Sequence, residues 1–279
     1  MSALATEPRF EHVAELCGDV RCELVRGRSA LTVVANRPPL KLLTPRSSGV
    51  ARRVVLSSYG GGLVAGDRVP VRVAVDDGAA CILSTQSSSK VYRSDGRRCH
   101  QSLQATVGDD AMLAVLPDPI SCYAGASYTQ SQVFELSPTG NLVWLDWLTS
   151  GRWARQERWA FDHVASRTDI RVDGRMRLRE TIDLSGDVGS AFRMGGFDCY
   201  AVLAIVGPRF SALAEHAVQT VDAAPLAPGF DLLAFASHID GGAVIRIVGP
   251  RAQVVQERLR EMPRPLSELL QDDPWARKW

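Results

Sequence analysis

Apolar residues recur at every second position through much of this chain. Val69, Val71, Val73 and Val75 alternate with Pro70, Arg72 and Ala74, which places four valines on one face of an extended segment. Asp76, Asp77 and Gly78 form a turn signal, and residues 80–83 return as a second, mostly apolar strand. The same period marks Val20, Cys22 and Leu24, and again Leu103, Ala105 and Val107. Residues 111–116 form a continuous apolar run stopped by Pro117 and Pro119, and residues 141–148, 154–161, 168–172 and 175–184 read as further strands. Short turns such as 108–110, 137–140 and 173–174 separate them. The pattern predicts a mostly β fold, a sandwich, barrel or layered stack of many short strands. No repeat of fixed length is visible, so the sequence does not support a regular solenoid.

The last third changes character. Residues 199–206 and 243–248 are apolar strands, each ending at a Gly-Pro pair, Gly207-Pro208 and Gly249-Pro250. Proline suits the first turn of a helix, and short helices are expected over 210–218 and 251–261, the second closed by Pro263 and Pro265. The tail from 267, with Trp275 and Trp279, is expected to fray. One domain over 1–279 is expected, with a β-rich body at 19–248 and a C-terminal helix and tail at 249–279.

Composition narrows the class. Hydrophobic residues make up 46% of 279, enough for a globular core. A net charge of +1 offers no field for nucleic acid or an anionic membrane. Residues 1–9 lack the pattern of a signal peptide, and the longest apolar run, 200–206, is too short to span a bilayer. A cytoplasmic protein is expected. Cys17, Cys22, Cys81, Cys99, Cys122 and Cys199 are scattered without a Cys-x-x-Cys pair, so reduced thiols, no stable metal site and no tightly bound cofactor are expected.

Two carboxylates fall on apolar faces. Glu180 shares a face with Met176, Leu178, Ile182 and Leu184, and Glu157 shares one with Trp159 and Phe161. A buried carboxylate is costly unless paired or solvated. Each therefore either meets an arginine, sits at a bulge, or lines a wet interior. Gly60, Gly61 and Gly62 invite a phosphate-loop reading, but no Gly-Lys-Ser/Thr follows and a strand replaces the helix such a loop needs. A structural bend built on these glycines and Gly66 is the simpler account. Asp67 closes that turn or faces a channel, and the polar block holding Thr85 and Gln86 is either a hydrated loop or a channel lining. Lys90 opposes a bare cation path unless a carboxylate such as Asp67 meets it.

Two longer blocks carry a resemblance. Gly60-Gly61-Gly62-Leu63-Val64-Ala65-Gly66-Asp67 and Ser84-Thr85-Gln86-Ser87-Ser88-Ser89-Lys90-Val91-Tyr92-Arg93-Ser94 resemble the signature of the urease accessory protein D family, departing at Ala65, Ser84, Ser87, Ser88 and Ser89. Leu116-Pro117-Asp118-Pro119, Gly151-Arg152, and Glu157 ahead of Trp159 and Phe161 extend the likeness. The resemblance implies strands stacked in layers and a non-enzymatic scaffold for urease maturation. It implies as partners the F-type urease accessory protein, a G-type nickel GTPase and the urease apoprotein. Nickel would pass in transit through an internal polar channel, with Asp67, Glu157, Glu180, Thr85 and Gln86 as path candidates; oxygen ligands suit a path because they hold nickel weakly. Two other readings stay open. One is a β-rich hydrolase pairing carboxylates among Asp67, Asp118, Glu157 and Glu180. The other is a nickel store, against which the lack of clustered His or Cys weighs.

Overall fold

A computed structural model describes residues 16–186, 192–224, 232–262 and 265–276. Two sheets face one another. The first holds seven strands in the order β14 (Arg175–Ser185), β13 (His163–Val172), β11 (Ser127–Leu136), β8 (Cys99–Val107), β5 (Arg68–Val75), β1 (Gly18–Val25) and β2 (Arg28–Asn36). The second runs β16 (Leu233–Ile239), β17 (Gly242–Gly249), β15 (Cys199–Val206), β12 (Asn141–Thr149), β9 (Met112–Leu116), β6 (Ala80–Thr85), β4 (Arg52–Ser58) and β3 (Leu40–Leu43). Two short strands, β7 (Ser89–Val91) and β10 (Ile120–Cys122), pair with each other, and β10 also pairs with β12. The mostly β, layered expectation holds.

The centre of each sheet is parallel, which requires a crossover between neighbours. Here the crossover is a strand of the opposite sheet. The chain winds β5, β6, β8, β9, β11, β12 in a short coil. Arg68 faces His100 in one sheet and Ala80 faces Met112 in the other, both 32 positions apart. In the next coil Cys99 faces Tyr128 and Met112 faces Asn141, both 29 apart. The sequence does not support a regular solenoid, and the structure has a few coils of unequal length. That inequality erases any fixed period from the sequence.

On one side, the turns between the sheets stack and bond. Asp109 N–H donates to Asp77 Oδ1 at 2.8 Å, Asp110 N–H to Thr139 Oγ1 at 3.0 Å, and Thr139 Oγ1 to Asp109 Oδ1 at 2.9 Å. On the other side the β7–β10 pair, extended by a bridge between Leu63 and Val91, forms a narrow third wall.

Alternation sorts the apolar side chains into two cores. Val71, Val73, Leu113, Trp144 and Phe134 pack between the sheets. Val143, Leu145, Trp147, Leu203 and Ile245 pack from the far face of the second sheet onto helices α1 (Ser211–Asp222), α2 (Ala252–Glu261) and α3 (Leu266–Leu270). The predicted helices are thus present. They form a third layer because Leu213, Ala217, Val221 and Leu259 recur at helical spacing. Among the described residues no helix is long and apolar enough to cross a membrane.

Two expectations fail. Residues 154–161 do not form a strand: a 3-10 turn spans Trp153–Arg155, and Gln156 (φ 59°) and Trp159 (φ 53°) reverse the backbone. The tail does not fray through Ala276. Arg53, 4% exposed, bonds Asp272 Oδ2 at 3.0 Å and the carbonyls of Asp273 and Pro274 at 2.8 and 3.3 Å, and Trp275 packs on the helical core. Residues 1–9, Pro263 and Trp279 lie outside the described residues.

Candidate functional site: a polar seam between the sheets

The strand rule that buries Leu142, Trp144 and Leu148 between the sheets turns Asp146 the same way. From the facing sheet, β11 sends Tyr128, Gln130 and Gln132 inward, continuous with Phe134. Register carries the polarity across that sheet: Gln101, Gln130 and Ser166 stand opposite one another, as do Gln132, Thr168 and Glu180. A strip of amides, hydroxyls and carboxyls therefore runs through an otherwise apolar core.

The strip converges on one oxygen. Asp146 Oδ2 accepts from Gln130 Nε2 at 2.8 Å and from Ser166 Oγ at 3.0 Å, with Gln132 Nε2 at 3.5 Å. Gln132 Oε1 accepts from Trp144 Nε1 at 3.2 Å. The Tyr128 hydroxyl lies 2.6 Å from Gln101 Oε1 and 2.8 Å from Gln130 Oε1, so one proton faces two acceptors. Buried Thr168 Oγ1 has no protein partner. Such under-satisfied polar atoms in a core call for water or a ligand.

Burial pushes the Asp146 carboxyl up, against the hydrogen bonds from Ser166, Gln130 and the Trp147 backbone, and the charge of Glu180 pushes it further. Burial likewise raises the Tyr128 phenol, helped by Asp146. Asp146 keeps some accessible surface because it borders two cavities, of about 30 and 90 Å³. Either exceeds the roughly 10–15 Å³ that one water needs. Tyr128, Ser166, Thr168, Glu180 and Tyr200 line the first; Thr85, Gln101, Asp118, Gln130 and Gln132 line the second. Ile120 of the third wall borders both.

Each end of the strip holds a carboxylate. Thr85 Oγ1 donates to Asp118 Oδ2 at 3.0 Å and accepts the Asp118 N–H at 2.6 Å. At the other end Arg246 Nη2 and Nε donate to Glu180 at 2.5 and 3.1 Å, and the Tyr200 hydroxyl donates at 3.0 Å. Burial, then the Glu180 charge, raises the Tyr200 phenol.

The residues expected from sequence divide. Glu180 and Thr85 border the cavities, and Glu180 is both arginine-paired and inward. Gln86 is exposed and accepts from Ser57 Oγ at 2.5 Å. Asp67 closes its turn by accepting the Val64 N–H at 2.9 Å. Glu157 pairs with Arg152 and accepts the Ala124 N–H at 3.2 Å; the guanidinium holds its carboxyl below the usual range. The fold thus does not bring Asp67, Glu157 and Gln86 to the cavities with Glu180, because loops rather than regular strands carry Asp67, Glu157 and Gln86. Lys90 points outward and forms no ion pair with Asp67 among the described residues. The glycines do build the bend: φ is 87° at Gly60, 75° at Gly61 and 85° at Gly66.

Asp146, Tyr128, Gln130, Gln132 and Arg246 were not expected as site residues. The signal for Asp146 was a single carboxylate inside the apolar run 141–148. Among the described residues, no three His, Cys, Asp or Glu side chains gather to hold a metal.

Comparison with known proteins gives a consistent result. A family described as UreD urease accessory protein matches residues 15–279. The chain is 37% identical over 275 residues to the urease accessory protein UreD of Anaeromyxobacter sp. (strain Fw109-5), covering 97% of this chain and 92% of that one. It is 42% identical over 267 residues to the UreD of Sorangium cellulosum (strain So ce56), covering 94% and 84%. With the urease accessory protein D of Arabidopsis thaliana it shares 34% over 212 residues, 73% of this chain and 72% of the other.

Proposed function

The chain belongs to the UreD urease accessory protein family, and from that premise we propose that it is a non-enzymatic scaffold that passes nickel through the polar seam to the urease apoprotein. The observation that carries this reading is the strip of polar side chains from Asp118 through Asp146 to Glu180, set among apolar neighbours and bordering two cavities that share Asp146. The F-type accessory protein and the G-type nickel GTPase are its further partners, the ion is cargo rather than a resident cofactor, and the work takes place in the cytoplasm.

The chemistry of the seam suits transit. The polar side chains lining the two cavities are carboxylates, amides and hydroxyls with no imidazole or thiol among them, and such oxygens hold nickel less firmly than imidazole or thiolate. A conducting path needs contacts strong enough to admit an ion and weak enough to release it. Asp146 adds a gate of charge. Burial raises its carboxyl, so a proton and an arriving dication compete for the same oxygens. Arg246 neutralises Glu180 in the resting state, so the ion must compete with a guanidinium at that end.

The carboxylates suggested for a hydrolase do not converge, since Asp67 and Glu157 sit in loops outside the cavities. The decisive experiment deletes the gene in a ureolytic host that retains the other accessory genes. Urease activity should be lost and restored by the gene in trans; full activity in the deletant would end the proposal.

A further inference from the structure

Most of the sequence signature is not spent on the seam. Gly62, Tyr92, Arg93, Gly151 and Arg152 border neither cavity. They form an outward ridge along the third wall. A Cβ on Gly62 would stand 2.6 Å from Tyr92 Cε2 and 2.7 Å from the Lys90 carbonyl, so glycine lets the tyrosine lie flat on the turn. Tyr92 meets Tyr123 edge-on, with ring centroids 5.5 Å apart at 88°. The Arg152 guanidinium lies 4.4 Å over the Tyr123 ring, held there by Glu157. Next along the chain Trp153 is 59% exposed, with Arg251 stacked at 5.3 Å.

This ridge has the make-up of an interface centre. Tyrosine, tryptophan and arginine dominate binding hot spots, and an ordered aromatic row loses little entropy on contact. Neither core needs Trp153, whose ring is mostly in solvent. The charge is one-sided. Glu157 is used by Arg152, whereas Lys90, Arg93 and Arg251 form no ion pair among the described residues.

We infer that the ridge of Tyr92, Tyr123, Arg152 and Trp153 is a docking surface for a partner protein whose contact segment presents carboxylates among apolar side chains. The inference rests on the scaffold reading, because it takes the occupant from that assembly. Apolar side chains of the segment cover Trp153 and the tyrosine edges, while its carboxylates meet Lys90, Arg93 and Arg251.

The test measures binding of the full chain to purified urease apoprotein and, separately, to purified F-type accessory protein, at low and at high salt. Trp153→Ser and Arg93→Glu change exposed groups, and thermal melts verify that both variants fold. At least tenfold weaker binding to one of the two partners is expected from each variant, with Arg93→Lys restoring most of it. The parent's affinity should fall with salt, as exposed charge pairs require. Binding of both variants to both partners within twofold of the parent would overturn the inference while leaving the scaffold reading intact. A parent chain that binds neither partner would overturn both. Self-association of the chain that Trp153→Ser abolishes, with partner binding unchanged, would make the occupant a second copy and also overturn it.

Discussion

Gln130 reaches across the gap between the two sheets to donate to Asp146 at 2.8 Å. The two residues lie on β11 and β12, consecutive strands of one coil that belong to opposite sheets. The contact therefore ties the layers together at their most polar point, and it partly offsets the upward push that burial gives the only carboxylate bordering both described cavities.

Asp146→Asn keeps the shape and removes the acid. Since the buried carboxylate carries a desolvation cost, thermal stability should change little or rise, while urease activation falls at least tenfold. Activation assays in the deletion host, set beside melting curves, check both halves. Normal activation by a folded Asn variant would remove Asp146 from the path.

Glu180 gives a matched pair of variants. Glu180→Ala should lower activation severalfold yet leave complex formation intact. Arg246→Met frees the Glu180 carboxylate from its guanidinium and should raise nickel affinity severalfold in equilibrium dialysis. Unchanged dialysis would mean the ion does not meet Glu180.

Acid sensitivity should trace to Asp169. Burial would raise this carboxyl, but Arg179 Nε and Nη2 at 2.8 and 2.9 Å and Arg167 at 3.0 Å draw it down to about 2. The unfolded value is about 3.9. A depressed folded value means the contribution is complete above about pH 4 and is lost as pH falls toward 2, on the order of 1–2 kcal/mol after allowance for the exposed arginines. Urea melts from pH 6 to 2 should show this loss, and Asp169→Asn should flatten it. Asp146 acts with the opposite sign: its raised carboxyl makes the fold lose stability as pH rises above the unfolded value.

Arg53→Ala should cost about 3–5 kcal/mol, because it strands Asp272 and two tail carbonyls against the core. Arg53→Lys should recover only part, since one ammonium cannot reproduce the planar fork. Urea denaturation gives the values.

How much of this was legible in the sequence follows the alternation of side chains. Where the inward face is apolar, as in β5, β9, β12, β15 and β17, the strands stand out. β11 was invisible because its inward positions 128, 130 and 132 are Tyr, Gln and Gln, so polar residues occupy both faces. The seam and the missed strand are thus the same fact. Glu180 was legible because its neighbours on the face, Leu178 and Ile182, are apolar. Its partner Arg246 was not, since pairing across sheets leaves no spacing to read. Glu157 misled because a turn with two left-handed residues looks extended on paper. The coils were hidden because neighbouring turns differ by three residues in length.

That difference is unevenly placed. The turns stacked on Asp77, Asp109 and Thr139 keep one length, as the equal spacing in both sheets requires. All variation falls on the side of β7 and β10. Insertions are therefore expected to be tolerated on that flank and not on the other. A short glycine-serine insertion after Gly96 should leave the melting temperature nearly unchanged, while the same insertion after Asp109 should unseat both sheets together. The flank free to change length is also the one that carries Tyr92, Tyr123 and Arg152, so a change of length there reshapes the outward face without shifting either sheet.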